Sequence, residues 1–240
     1  MTKLGVFALC ALGTVAQAEE PFVESNLLGI FYHELGHALI DTEGLQVLGQ
    51  EEDAADVFSI LLIDALYEED SALALAYDVS DGFWGEALAR DRDDIDVAWW
   101  DVHGPDEQRF YNTVCLFYGA DPDQRGGFAA DMELPQERAD YCPEEFDQAY
   151  GSWGPVLDKM AARNDGVSLE FVADEDSLTA QLILSEVEAL NGEFQFAQPL
   201  RIIVEPCGEA NAFYDPEASE IVMCREFEDH LRDLRALLEQ

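Results

Sequence analysis

The amino-acid sequence predicts an α+β protein that is mainly helical, with a small β-sheet or hairpin confined to its C-terminal third. Three observations predict it. Residues 26–41 and 51–68 are long apolar stretches of helical length. Strand-like runs occur only after residue 167. Hydrophobic residues make up 48% of the 240, enough to bury a substantial core.

The elements follow in order. Met1-Thr2-Lys3 is a short basic start, residues 4–15 are apolar, and Ala16-Gln17-Ala18 fits a small-residue cleavage site. The apolar run is too short to span a bilayer. Leu9, before Cys10, occupies a place where a lipoprotein box needs a small residue. Residues 1–18 are therefore expected to be a signal peptide, and residues 19–240 one domain, since no Pro-, Gly- or Ser-rich linker divides them. The stretch 26–41 is apolar nearly all round, as an interior helix is. Residues 41–50 hold two glycines and read as a connection. The second interior helix, 51–68, opens on acids, as a helix N-terminus prefers. Further helices are predicted at 71–90, 107–118 and 143–162. Between them lie an acidic, aromatic-bearing connection at 91–106 and a Gly-, Pro- and Asp-rich loop at 119–136. Strands are predicted at 168–173, 199–205 and 219–224. A helix at 178–190 is expected to stop at Asn191-Gly192, a good capping pair. The amphipathic helix 226–239 carries Phe227, Leu231, Leu234 and Leu238 on one face, and His230 is read as facing solvent.

Charge narrows the function classes. Twelve basic residues face 52 acidic ones, a formal net charge of −40. Losing the leader removes one lysine and no acid, giving −41. Phosphate would be repelled, which argues against nucleic acid and anionic membrane as partners. Four cysteines remain after the leader, and an even count in an exported chain favours disulfides. Nearness along the chain pairs Cys115 with Cys142 and Cys207 with Cys224. A cysteine zinc site lacks any C-x-x-C spacing.

The sharpest chemical signal is His33-Glu34-Leu35-Gly36-His37. On a helix, positions i and i+4 share a face, so both imidazoles can reach one metal ion. Glu34 sits beside them as a candidate general base for a metal-bound water. Burying two histidines and a glutamate in an apolar helix also needs a reason. A catalytic zinc takes a third protein ligand and keeps one position open. A downstream Gly and His would mark one class of zinc peptidase, but those positions hold Ile40 and Glu43. Glu52 is the candidate third ligand, with Glu51 as runner-up. Asp56, four residues on from Glu52, is placed to orient a ligand histidine.

With H-E-x-x-H on one helix and Glu52 to Asp56 reading E-x-x-A-D on the next, the sequence resembles the gluzincin group of zinc peptidases. More narrowly, it resembles a bacterial family of zinc metallopeptidases named from this motif. That likeness runs through residues 31–41 and 48–56, resumes at 101–103 and 107–112, and returns at 207–216. It implies a zincin-like fold, one zinc ion held by His33, His37 and Glu52, and hydrolysis of peptide bonds in a peptide or protein substrate. Oxyanion stabilisation needs a donor; His103 ranks first, and Tyr111 and Tyr214 are also candidates. The segment 211–214 with strand 219–224 resembles the edge strand that pairs with substrate in many gluzincins; a disulfide-braced hairpin is the plainer reading. Acidic groups at 91–96 and at Asp121 and Asp123 read as solvated loops rather than calcium sites. The expected protein is an exported, periplasmic or extracellular hydrolase without stable membrane insertion. The alternative is a zinc-binding, non-catalytic protein serving as an exported interaction module, its site either structural, closed by a fourth protein ligand such as Glu51 or His103, or a relic.

Overall fold

The computed structural model describes residues 19–163 and 166–240; the expected signal peptide lies outside them. Among the described residues no helix is long and apolar enough to cross a membrane. The elements are α1 (Glu19–Glu43), α2 (Glu51–Leu66), α3 (Glu69–Arg92), α4 (Asp106–Ala120), α5 (Pro122–Asp131), α6 (Gln136–Ala139), α7 (Cys142–Arg163), β1 (Leu169–Ala173), α8 (Leu178–Glu193), β2 (Leu200–Glu205), β3 (Ala212–Asp215), β4 (Glu220–Cys224) and α9 (Phe227–Leu238). The mainly helical α+β expectation is borne out, with the strands in the C-terminal part.

Helix α1 is the hub. Its apolar residues Phe22, Val23, Leu27, Phe31, Tyr32, Leu35, Ala38 and Leu39 are all fully or almost fully buried, and it packs against α2, α3, α8, α9, β3 and β4. That explains why its sequence is apolar on every side. Two glycines set its closest approaches. A Cβ at Gly36 would lie 3.0 Å from Ala55 Cα, so this glycine, inside the histidine motif, lets α2 come up against the face of α1 that carries His33 and His37. A Cβ at Gly29 would lie 2.8 Å from Val79 Cγ2, which brings α3 equally close. The helix ends at Gly44, whose φ of 65° suits glycine, with Leu45 N–H returning to Ile40 O at 2.9 Å.

Helix α4 packs between α3 and α7. The Cys115–Cys142 disulfide, with Cα atoms 5.1 Å apart, ties α4 to the first residue of α7. The expected loop at 119–136 is instead mostly α5, with α6 beginning at its last residue. Asp121 accepts from Gln124 N and Pro122 opens the helix, a start signal that Gly126-Gly127 obscures. Packing decides the outcome. Phe128 rings against Phe117 and Tyr77, and buried Arg125 binds Glu69, Asp64 and the Phe117 carbonyl. Asp121 is thus a helix cap.

The sheet has the order β1-β2-β4-β3. β1, β2 and β4 are parallel, and β3 pairs antiparallel with β4 at the edge. Helix α8 makes the β1-to-β2 crossover and runs past the expected stop to Glu193. Asn191 does not cap it. Its side chain accepts from the N–H groups of Ser168 and Leu169 and donates to Leu169 O, so it docks β1 onto α8. Cys207–Cys224 closes the connection after β2 onto the end of β4. Glu228 of α9 is buried and accepts from Thr179 N and Oγ1 at the start of α8. His230 is half-buried, with Nε2 2.6 Å from Glu86 Oε1 of α3. Its ring therefore pins α9 to α3 and is not simply solvated.

Candidate metal centre

Helices α1 and α2 each turn one polar face to the other. His33, Glu34 and His37 come from α1, and Glu52 and Asp56 from α2. His33 Nε2 and His37 Nε2 are 3.2 Å apart. Glu52 Oε2 lies 3.2 Å from the first and 3.1 Å from the second. A tetrahedral ion with ligands at about 2.0 Å separates them by roughly 3.3 Å, so this triangle has the size that a small divalent cation needs.

The outer nitrogens decide which way the lone pairs face. His33 Nδ1 is 2.7 Å from Asp56 Oδ1, and His37 Nδ1 is 2.9 Å from Glu51 Oε1. A carboxylate only accepts, so each Nδ1 carries the proton and, in a neutral ring, each Nε2 offers a lone pair to the shared point. Three acceptors converging without a donor repel one another unless a cation lies between them. The protonation equilibria reflect that demand. Burial opposes charge on His33, but hydrogen bonds to Asp56 and Glu52 outweigh it and raise its pKa to about 9. His37 is raised as well, burial again being overcome by Glu52 and Glu51. Glu52 is held far below the usual carboxylate range by His103, His33 and His37.

Behind Asp56 stands Arg109 of α4. Its Nε and Nη2 donate to Asp56 Oδ2 and Oδ1 at 2.8 and 2.7 Å, and its guanidinium lies 4.3 Å over the Phe83 ring. Against the cost of burial, Arg109 keeps Asp56 ionised. Sequence reasoning gave Arg109 no role. The available signal was a cation next to Phe110 on an apolar helix, which calls for a buried acid.

The other candidates fall as follows. His103, in segment 93–105, brings Nε2 to 2.9 Å from Glu52 Oε2 and stacks its ring 6.2 Å from that of His33. Ligand atoms of His33, Glu52 and His103 lie within 4.8 Å of one another, so His103 is a possible further ligand. Its side chain is 46% exposed. Glu51, the runner-up ligand, is instead on the far side of His37. Glu34 is buried; burial raises its pKa, while the two histidines and the backbone N–H of Tyr214, in β3, lower it. The Tyr214 hydroxyl donates to Asp41 Oδ2 at 2.7 Å, so the phenol is engaged away from Glu34. A cavity of about 200 Å³ adjoins His33, Glu34 and His103. A larger hollow of about 720 Å³ beside Thr42, Lys159 and Gln195 holds none of these residues and is a surface depression by the Glu43 ion pairs.

A family model described as "Putative metallopeptidase", DUF4344, matches residues 11–157 and 169–239. The chain belongs to this family. The DUF4344 match takes in every residue of the centre, from His33 to Arg109 and on to Tyr214 in β3. No curated protein and no solved structure matches the chain.

Proposed function

We propose that this chain is an exported, zinc-dependent metallopeptidase that hydrolyses peptide bonds with water. The observation that carries the reading is the triangle of His33 Nε2, His37 Nε2 and Glu52 Oε2, with both outer imidazole nitrogens fixed by carboxylates. Two imidazoles and one carboxylate suit one zinc ion, with His33, His37 and Glu52 as its ligands. Zinc at such a site supplies a Lewis acid that acidifies water and polarises a carbonyl oxygen. Glu34 takes the proton from the attacking water and delivers it to the leaving nitrogen. Its raised pKa suits a group that must both accept and return a proton, and the Tyr214 N–H fixes its direction. Asp56, clamped by Arg109, holds the His33 ring in one tautomer. Edge strand β3 lies beside Glu34, and an extended peptide could pair with it. His103 is the candidate donor to the developing oxyanion.

Two disulfides support export, in line with the leader read at residues 1–18. We read residues 19–240 as one domain acting in the periplasm or outside the cell.

A second reading rests on one contact, His103 Nε2 at 2.9 Å from Glu52 Oε2. With His103 as a fourth protein ligand the site would be closed and structural, and the protein a zinc-binding interaction module. One experiment separates the two. Metal content and cleavage of a mixed peptide library are measured on mature wild type, Glu34→Gln and His103→Ala. Catalysis predicts about one zinc in all three, with cleavage lost in Glu34→Gln. A closed site predicts inert wild type and zinc lost from His103→Ala. Absence of metal from wild type in excess zinc would refute both.

A further inference from the structure

The cavity beside His33 and Glu34 is not an extension of polar surface. Its polar end is formed by those two residues with His103 and the Asp56–Arg109 pair. The remaining wall is mainly apolar, from Ile30 of α1, Val79 and Phe83 of α3, and Phe227, Leu231 and Leu234 of α9, with Asn26, Ser59, Glu86 and Asn211 as its polar members. Ile30, Phe83 and Phe227 pack on the core yet stay partly uncovered. Protein interiors are close-packed and leave few voids larger than a water molecule, so about 200 Å³ with apolar walls at a chemical site is not a packing residue. It is smaller than the roughly 300–1,000 Å³ that enclose a whole drug-sized ligand. A cavity of about 150 Å³ already takes benzene. The space therefore fits one side chain of leucine to phenylalanine size.

Charge selects further. Glu86 is the acid at this cavity's α3 wall and is already paired with His230. At the polar end Arg109 offsets Asp56, so Glu34 is the acid that disfavours an acidic guest, and the apolar walls bring no unpaired acid to favour a basic one. Of the three candidate ligands His33 lines the cavity, next to Glu34, so a guest anchored at the metal site would extend its neighbouring group past His33 between α1, α3 and α9.

We propose that this cavity is the specificity pocket of the enzyme and accepts an unbranched or branched apolar side chain, or a single phenyl ring, of the residue flanking the cleaved bond. The inference rests on the metallopeptidase reading and names its substrate class. Val79 and Ile30 set the pocket's size. Neither is a ligand or a proton carrier.

The test uses metal-binding hydroxamates as probes on the zinc-loaded mature protein, with dissociation constants from calorimetry. The acetyl probe reports the metal site alone. Isocaproyl and phenylpropionyl probes add apolar tails, and an aminobutyryl probe adds a cationic one. Each buried methylene adds about fourfold to affinity, so the isocaproyl probe is expected to bind on the order of 100-fold more tightly than the acetyl one. Val79→Phe should abolish that gain while leaving acetyl affinity unchanged. Ile30→Phe, at a half-buried position, should do the same if the first variant folds poorly. Val79→Ala should shift preference towards the phenylpropionyl probe. Equal affinity for acetyl and isocaproyl probes, or tightest binding of the aminobutyryl probe, would overturn the pocket and leave the metal site standing. Failure of every probe, the acetyl one included, would overturn the metal reading and this inference with it.

Discussion

Arg109 offers the most direct test of how the centre is held. Asp56 is mostly buried between His33 Nδ1 at 2.7 Å and the Arg109 fork at 2.7 and 2.8 Å. Removing the arginine in Arg109→Ala strands a buried carboxylate, a loss of about 3–5 kcal/mol for a broken buried pair. It also frees Asp56 to move or take up a proton, so the His33 ring loses its fixed partner. Loss of such a support typically lowers metal affinity by about 10- to 100-fold. Arg109→Lys keeps the charge without the fork and should fall between. Urea unfolding of the metal-free protein gives the first quantity, and competition against a chromophoric chelator gives the second. A cycle with Asp56→Ala should show coupling, the double variant losing less than the sum of the two singles. If Arg109→Ala lowers stability by the expected amount but leaves metal affinity unchanged, Asp56 does not transmit orientation to His33. If it changes neither, burial puts no strain on the Asp56–Arg109 pair.

Three further outcomes follow from the fold. Hydrogen bonds from Arg163, opposed by burial and aided by Lys159, hold Glu43 at a pKa of about 2. A depressed carboxylate stabilises the fold above its ordinary pKa and loses that contribution as pH falls towards 2. Allowing for solvent at the exposed Lys159, Glu43→Gln should cost about 2 kcal/mol at neutral pH, the gap to wild type closing between about pH 5 and 2 in paired denaturation curves; a gap independent of pH would refute the pairing. Replacing Cys115 and Cys142 by serine opens a loop of 27 residues and should lower stability by about 3–4 kcal/mol, read by thermal unfolding in the absence of reductant; an unchanged midpoint would show that α4 and α7 need no brace. Tyr214→Phe removes the bond to Asp41 but not the main-chain N–H to Glu34, so peptide cleavage should stay within about threefold of wild type at a cost near 1 kcal/mol in stability; a collapse of turnover with metal retained would make the phenol a catalytic group.

What the sequence disclosed depended on the range of the interaction. The i, i+4 pairs His33/His37 and Glu52/Asp56 were legible because helical geometry alone puts each pair on one face. That both faces belong to one centre could be guessed from buried polar groups in apolar helices. Gly36, the residue that lets α2 close on α1, had no such signature, because its role lies in the contact with Ala55. Arg109 and the Glu51–His37 contact depend on how helices distant in sequence pack, and no local pattern carries that. Helix α5 was hidden for the same reason: Gly126-Gly127 is a poor helical sequence by propensity, and the ring packing of Phe128 and the ion pairs of Arg125 override it. At Asn191 the error ran the other way. A residue with the chemistry of a cap spends all its hydrogen bonds on β1, and the helix continues.

The division of labour within the chain explains why a small sheet accompanies so much helix. All the metal-ligand candidates except His103 stand on α1 and α2, and their supports stand on α2 and α4, where packing fixes each rotamer. Glu34, as the proposed proton carrier, is different, since such a group must be directed without being neutralised. A cationic partner there would depress its pKa and weaken it as a base, whereas a single main-chain N–H orients the carboxylate at lower electrostatic cost. The unpaired side of an edge strand can present such an N–H, whereas the interior of a helix uses its own internally. β3 is an edge strand, and its position is set by pairing with β4, by the Cys207–Cys224 link at the end of β4, and by the Tyr214–Asp41 bond to α1. Among the described residues the sheet thus contributes no candidate ligand, and its part in the proposed mechanism would be to turn the Tyr214 backbone N–H towards Glu34.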